Sequence, residues 1–522
     1  MGLEGAKMKS LKQNGLYAPH YNEIGLSVMV KKEKVNLSNV GEQMAIQFVR
    51  KLDTDYVKDP LFVTNFLIDF SKEIGKKDLK LEDINWKEIQ KYIEDVKSKT
   101  DAMTKEEKKQ VLTLKKSLRE KLKEIYGYAT LDGEKVEVAN WIAEPASIFM
   151  SRGANPNRGK WKRAILKSDI ILNTSDGTGL EGWKEIAWEP SSMWVAKWIS
   201  PLDGKEKYVW VSASSKLRQD KDMKKWEKAE TLEQKMPELG SFILDNLTSK
   251  GIERRKLATA VYLIRYLGIR VGDEKIEGER GTVGCTTLRS KNLSIIGNNL
   301  KIDFIGKDCV RFTNDIGLPE KVLVNLKDLI SKAGEGYVFD GLNSNSISKF
   351  LQEKIPHISA KTFRTFLASE TFKDSRKIYT ATIEGKGEAI GRLRFKFINL
   401  DVAKKLNHKR KLPKNWKEMI VRKEERVKKL LEKYDTFVRE FKLHSDEKLQ
   451  EKMSKAYDAW SSAQQDLEFS KASADFNLGT SLGAYISPKL VVSYCKEEKV
   501  PIEKVYSTVL LSKYKWSIGK EF

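Results

Sequence analysis

The chain has 522 residues, with 96 Lys plus Arg against 73 Asp plus Glu, a formal net charge of +23 and 40% hydrophobic residues. That size and apolar content exclude both a single-core protein and a disordered chain, and predict two to four domains. The charge excess points to a polyanionic partner, DNA or RNA first, with an anionic membrane surface as the rival. No apolar run approaches the roughly 18–20 residues of a spanning helix, and the N-terminal residues "MGLEGAKMKSLKQNG" carry no apolar signal core. Three cysteines (Cys285, Cys309, Cys495) without a CxxC pair predict an intracellular protein lacking disulfides and structural zinc. The four histidines, His20, His357, His408 and His444, have no neighbour at metal-ligand spacing.

The first 35 residues read as short strands and turns. From about 38 to 128 the pattern is helical, in "GEQMAIQFVRKL", "LFVTNFLIDFSKEI" and "TKEEKKQVLTLKKSLREKLKEIYG". Residues 130–214 are β-rich and tryptophan-dense, and the turn "SPLDGKE" predicts a hairpin. This region also holds "SRGANPNRGKWKRAILKSD", where glycines alternate with Arg152, Arg158, Lys160, Lys162 and Arg163 around Asn155. The stretch reads either as a solvated loop or as a phosphate contact.

Residues 216–413 mix helices with a β-meander, "LSIIGNNLKIDFIGKDCVRF", that turns at Gly297 and again at Gly306-Lys307-Asp308. After Pro413, Ile420, Val427, Tyr434 and Phe441 are spaced by seven, with Leu430 and Phe437 between them. "HSDE" interrupts, with Ser445 as a helix cap. A second seam runs through Leu449, Met453, Ala456, Trp460 and Leu467, which predicts an antiparallel coiled-coil hairpin. A small helical piece closes the chain.

Five polar residues sit where packing does not call for them: Arg270 at the end of "LATAVYLIRYLGIR", Lys307 at a β-turn tip, Arg364 in "SAKTFRTFLAS", His408 in "KLNHKRKLP", and Tyr485 in the turn "NLGTSLGAYIS". Each has an ordinary alternative. Arg270 could cap a helix, Lys307 could be solvated, Arg364 could pair with a buried carboxylate, His408 could belong to a basic strip, and Tyr485 could anchor a loop. Together they suit one reaction. A phenol becomes a nucleophile when cations stabilise its phenolate. Two guanidinium groups complement the charge that builds on an attacked phosphodiester. An imidazole adds a hydrogen bond, and an ammonium on a mobile turn can protonate the leaving oxygen. A covalent intermediate conserves the bond energy, so resealing needs no ATP.

These motifs are similar to those of the eukaryotic-type DNA topoisomerases I, the type IB enzymes. "YLGIRVGDEK" with "GTVGCTTLRSKNL", "DFIGKDCVRF", "SAKTFRTFLAS", "LNHKRKLPK" and "LGTSLGAYISPKL…PIEKVY" follow the family's order and separations, and "GLYAPHY", "TKEEK" and "SRGANPNRGKWKRAI" extend the likeness to the N-terminal half. The resemblance implies that Tyr485 is the nucleophile of a 3′-phosphotyrosyl link, that Arg270, Arg364 and His408 stabilise the transition state, and that Lys307 is the general acid. It implies DNA contacts at Arg152, Asn155, Arg158, Lys160, Lys162, Arg163, Lys361 and Lys409. The implied fold is α+β and multidomain, a bilobed DNA clamp. Residues 1–214 form a β-rich and helical N-terminal cap, 215–413 a mostly helical catalytic core with the meander, 414–473 the coiled-coil linker, and 474–522 the C-terminal domain bearing the tyrosine.

The implied activity is relaxation of supercoils of both signs by nicking, rotation and religation, without ATP or an obligatory metal, and with Mg2+ as a stimulant at most. The implied partner is double-stranded DNA, preferentially supercoiled, bound by a monomer without membrane contact. Camptothecin-like inhibitors are further candidate ligands, and Ala484 stands before the nucleophile where many members carry Asn. The long charged extension typical of nuclear members is not in this sequence, so an intracellular, DNA-associated location is expected, nuclear for a eukaryotic member and cytoplasmic or nucleoid-bound for an archaeal or viral one. The rivals are a tyrosine recombinase, a non-catalytic DNA binder and a phosphodiesterase that releases free ends. Against the first, Lys361 stands three residues before Arg364 where recombinases usually place histidine, and 77 residues separate His408 from Tyr485.

Overall fold

In a computed structural model of the chain, residues 7–151, 155–273, 282–444 and 446–519 are described. The described chain is mixed α and β and forms two compact units, one reaching to Gln219 and one running from Asp220 onward. Among the described residues, no helix is long and apolar enough to cross a membrane.

The first unit contains two cores. In one, Phe62, Phe66 and Phe70 recur every fourth residue along the helix Pro60–Glu73, so they share a face. Phe48, from the helix Asn39–Val49, stacks on Phe66 with ring centroids 4.0 Å apart. This helix pair packs beside a sheet with Ser27–Val30 at its centre. The second core is built from two further sheets, and its outermost pair, Trp194–Ile199 with Glu206–Trp210, is the hairpin that "SPLDGKE" predicts. Two charged helices follow the aromatic pair in sequence, Lys87–Ala102, which adds Ile89 to the first core, and Lys105–Tyr126, opened by a Thr104/Glu107 capping box.

The second unit is organised around the apolar helix Ile252–Leu267, buried along Ala258–Ile264. The helices Ala360–Thr382 and Glu388–Lys405 share its core. The meander is a three-stranded antiparallel sheet, Leu293–Ile296, Asn299–Gly306 and Val310–Gly317. Its central strand buries alternate residues, Leu300, Ile302 and Phe304, as a half-covered strand must.

Two long helices follow, Trp416–Leu443 and Glu447–Ala472. Lys471 pairs with Glu424 at 2.6 Å and Tyr434 stacks on Trp460 at 6.1 Å, so the helices run antiparallel. The predicted cap Ser445 lies outside the described residues; Asp446 accepts from the Lys448 amide at 3.1 Å. The short helices Leu478–Ala484, Pro488–Glu497, Thr508–Lys513 and Lys515–Ile518 complete the chain.

Two expectations need correction. The stretch before Tyr485 is a helix rather than a turn, because Asn477 caps it by accepting from the Thr480 amide at 3.3 Å. The apolar helix predicted to end at Arg270 stops at Leu267, because Gly268 adopts a left-handed conformation, φ 64°.

Candidate active site

Helix ends create this site. The last carbonyls of a helix lack intrahelical partners and carry its negative dipole end. Gly268 closes the helix Ile252–Leu267, and Leu406 closes Glu388–Lys405. The two ends touch: a Cβ on Gly268 would lie 3.1 Å from the Lys405 carbonyl oxygen. Arg364, on the first turns of Ala360–Thr382, spends its guanidinium on both ends, donating from Nη1 to the Gly268 carbonyl and from Nη2 to the Leu406 carbonyl at 2.9 Å. It is 6% exposed. The expected alternative, a buried carboxylate partner, is not what holds it. Carbonyls fix the group in place and leave its full positive charge uncompensated.

Arg270 is set by a different device. Gly272, at φ 78°, and Gly284 pass backbone to backbone, where a Cβ on Gly284 would fall 2.4 Å from the Gly272 Cα. The Cys285 amide donates to the Arg270 carbonyl at 2.8 Å and the Thr286 amide to the Val271 carbonyl at 2.7 Å. Thus the glycines of "RVGDEK" and "TVGCTT" serve close approach of two backbone segments.

His408 follows the same helix end as Leu406, its amide bonded to the Ala403 carbonyl at 2.8 Å. Its carbonyl accepts from the Asn477 amide at 2.6 Å, Lys409 forms a β-bridge with Phe476, and the Arg410 amide donates to the Asp475 carbonyl at 2.7 Å. This short strap brings the segment ahead of the helix Leu478–Ala484 against His408. Tyr485 then lies with its ring centroid 5.0 Å from the imidazole and 5.2 Å from the Arg364 guanidinium carbon.

The electrostatics agree with the geometry. Burial pushes the Tyr485 phenol up, but Arg364 and Arg270, by charge and by hydrogen bonding, outweigh it and hold the phenol below its ordinary value. Burial, with Arg364 and Arg270 adding to it, pulls the His408 imidazole down to about 3, so the ring is neutral at physiological pH. Its Nε2 lies 3.4 Å from Arg364 Nη2, and its Nδ1 has no partner among the described residues. No carboxylate among the described residues pairs with Arg364, Arg270 or His408.

The structure brings four of the five residues together. Lys307 stands apart on the exposed turn Lys307–Cys309 at the hairpin tip, with no hydrogen-bond or ion-pair partner among the described residues. Its hairpin is nevertheless tied to the site: the Val283 amide donates to the Ile305 carbonyl at 2.7 Å, and Asn407 Nδ2 to the Arg311 carbonyl at 3.2 Å. Of the other predicted contacts, Lys361 is exposed, and Lys409 is exposed and 3.7 Å from Asp475. Arg152 lies outside the described residues. Arg158 pairs with Asp59 at 2.7 Å, Lys162 with Glu144, and Arg163 bidentately with Asp169 at 2.6 and 2.8 Å. The Asn155 side chain accepts from the Asn157 amide at 2.9 Å, and Lys160 is half-buried beside it. No group of three or more His, Cys, Asp or Glu placed to hold a metal ion occurs among the described residues.

Comparison with known proteins decides the family. The model for the eukaryotic DNA topoisomerase I catalytic core matches residues 214–441, that for its DNA binding fragment residues 6–211, and that for the C-terminal topoisomerase domain residues 460–522. DNA topoisomerase 1 of Homo sapiens is 30% identical over 99% of this chain and 71% of its own length. The chain belongs to the eukaryotic DNA topoisomerase I family. DNA topoisomerase 1 of Drosophila melanogaster is 30% identical and DNA topoisomerase 1 alpha of Arabidopsis thaliana 31%, each over 99% of this chain. The chain spans 54% and 59% of those two proteins, less than two thirds of either.

Sequence reasoning missed the groups that hold this topoisomerase-family site rather than those that line it. The carbonyls of Gly268 and Leu406 have no side-chain signature at all. Lys225, whose ammonium donates to the Ala484 carbonyl, is one of several lysines in "KDMKKWEKAE" and nothing local marks it.

Proposed function

We propose that the chain is a type IB DNA topoisomerase that nicks one strand of duplex DNA through Tyr485, relaxes positive and negative supercoils and reseals the strand. The observation that carries the reading is a phenol held below its ordinary pKa by two guanidinium groups that no carboxylate among the described residues neutralises. The Tyr485 phenol gives up its proton to solvent, its oxygen attacks the phosphorus, the bond to the 5′ oxygen breaks, and a 3′-phosphotyrosyl link forms. Arg364 and Arg270 take up the charge on the non-bridging oxygens, and neutral His408 donates a further hydrogen bond. Lys307 gives the leaving oxygen its proton from the hairpin tip. Religation is the reverse, so bond energy is conserved and ATP is not consumed.

In this reading the chain is a monomer that clamps double-stranded DNA, prefers it supercoiled and is DNA-associated in the cell. The antiparallel helices Trp416–Leu443 and Glu447–Ala472 act as a coiled-coil linker between the catalytic core and the C-terminal piece. The four-part division at 214, 413 and 473 describes its working parts. Lys361, Lys409 and the cations of the 152–163 loop contact phosphate, which makes binding fall steeply with salt. The test is plasmid relaxation in EDTA without ATP, with covalent complexes trapped by detergent. The wild-type chain relaxes both signs and is trapped on a 3′ end, and Tyr485→Phe does neither. Full relaxation by Tyr485→Phe would remove the nucleophile assignment.

A further inference from the structure

The end of the helix Leu478–Ala484 is gripped by side chains that the chemistry above does not use. Lys513 Nζ and the Tyr514 hydroxyl both donate to the Gly483 carbonyl at 2.7 Å. Lys225, on the helix Lys216–Gln234, donates to the next carbonyl, that of Ala484. These are the carbonyls a helix leaves unpaired at its C-terminus, where cations also meet the dipole favourably. The Gly483 contacts satisfy a helix cap. The Ala484 contact does something else, because that carbonyl belongs to the same rigid peptide plane as the nitrogen and Cα of Tyr485. Whatever fixes the oxygen fixes the origin of the tyrosine side chain.

The ammonium that does this is held in costly surroundings. It lies over the Trp226 ring at 4.1 Å and over the Tyr485 ring at 5.8 Å, and no carboxylate among the described residues is in ion-pair range of it. Asp222, on its own helix, pairs instead with Lys513 at 3.5 Å. Burial above all, opposed in part by the Asp222 charge and helped a little by Lys513, brings Lys225 down to about 8. Among the described residues, the charged and titratable groups acting on it are Asp222, Lys513 and the Tyr485 ring. A charge kept in such a place without an ion-pair partner is expensive unless its hydrogen bond is needed.

We propose that Lys225 is a positioning residue for the nucleophile: it anchors the Ala484 carbonyl so that Tyr485 presents its phenol to Arg364 and Arg270. The proposal rests on Tyr485 being the nucleophile. It predicts that Lys225 acts on the cleavage step and not on the binding of DNA. A misplacement of about 1 Å at a reacting group costs on the order of a hundredfold in rate.

The experiment is single-turnover cleavage of a duplex whose cleaved strand loses a short 5′ piece, so that religation is not read. Wild type, Lys225→Met, Lys225→Arg, Tyr514→Phe and Tyr485→Phe are compared as full-length chains, with DNA affinity and melting temperature measured for each. Lys225→Met is expected to cleave roughly tenfold to a hundredfold more slowly at saturating DNA, with affinity and melting temperature unchanged. Lys225→Arg, which keeps a cationic donor, recovers part of the rate, and Tyr514→Phe stays within about threefold of wild type. Between about pH 6 and 10 the wild-type rate breaks where Lys225 loses its proton, and Lys225→Met lacks that break. Wild-type cleavage by Lys225→Met would overturn the proposal. So would a defect confined to DNA affinity, which would make Lys225 a phosphate contact, or an equal defect in Lys225→Arg with normal melting. Cleavage by Tyr485→Phe would instead remove the nucleophile assignment beneath it.

Discussion

The molecule keeps its arginines and lysines in two different ways. In the 155–169 loop each of three cations faces a carboxylate: Arg158 with Asp59, Lys162 with Glu144, Arg163 with Asp169. Around Tyr485 the guanidinium of Arg364 faces carbonyls, and Arg270 and His408 face no carboxylate among the described residues. A carboxylate partner orders a cation but cancels its charge at a distance. A carbonyl partner orders it and leaves the charge available. The loop is therefore stable as it stands and has to exchange partners to meet a phosphate. The pocket is already arranged and already positive, the condition under which electrostatic catalysis requires little reorganisation.

The largest effect that sharpens this contrast comes from Arg364. Arg364→Ala is expected to lower single-turnover cleavage on the order of a thousandfold, because it removes a preorganised donor and the two helix-end bonds together. Arg158→Ala should change the same rate less than about threefold, since the loop acts on binding. Equal losses in the two variants would erase the distinction.

A second, smaller effect concerns acid stability. The folded pKa of His408 lies at about 3, below its unfolded value, so the unfolded chain binds more protons between those limits. Stability from this group is present above the unfolded value and drains away as pH falls towards 3, at up to about 1.4 kcal/mol per pH unit. His408→Gln should lose less stability than wild type over that window in urea melts followed by circular dichroism. Parallel curves would mean that the ring charges freely in the folded state.

The smallest effect lies in the loop. Neutralising its carboxylates with Asp59→Asn, Glu144→Gln and Asp169→Asn releases three cations. DNA affinity at low salt should rise a few-fold, and the slope of log affinity against log salt should steepen by up to about one per released cation. An unchanged slope would show that these cations never reach the phosphates.

That Arg270, Arg364, His408 and Tyr485 come together could be read from the chain, because each is a reactive side chain standing where packing does not call for one. The antiparallel helix pair was legible from the seven-residue spacing of Ile420, Val427, Tyr434 and Phe441. What escaped was set by the backbone or by residues distant in the chain. Hydrophobic periodicity runs on through Ile269 and hides the helix end at Leu267, which a single left-handed glycine imposes. The seven-residue helix before Tyr485 is too short for periodicity to reveal, and its Gly and Thr read as a turn. The basic loop looked free because Asp59 lies 99 positions before Arg158, a separation over which no local pattern operates.

The strap between residues 408–410 and 475–477 has a mechanical consequence. Its two hydrogen bonds flank the Lys409–Phe476 pair, and the helix Glu447–Ala472 runs into it, ending three residues before Asp475. Tension drawn along that helix would load both bonds in shear, so that they share the force instead of opening one by one. The imidazole and the phenol would move as one body under such a pull. In the proposed reaction, a pull from a rotating duplex on the helix pair would leave the reacting groups at their spacing.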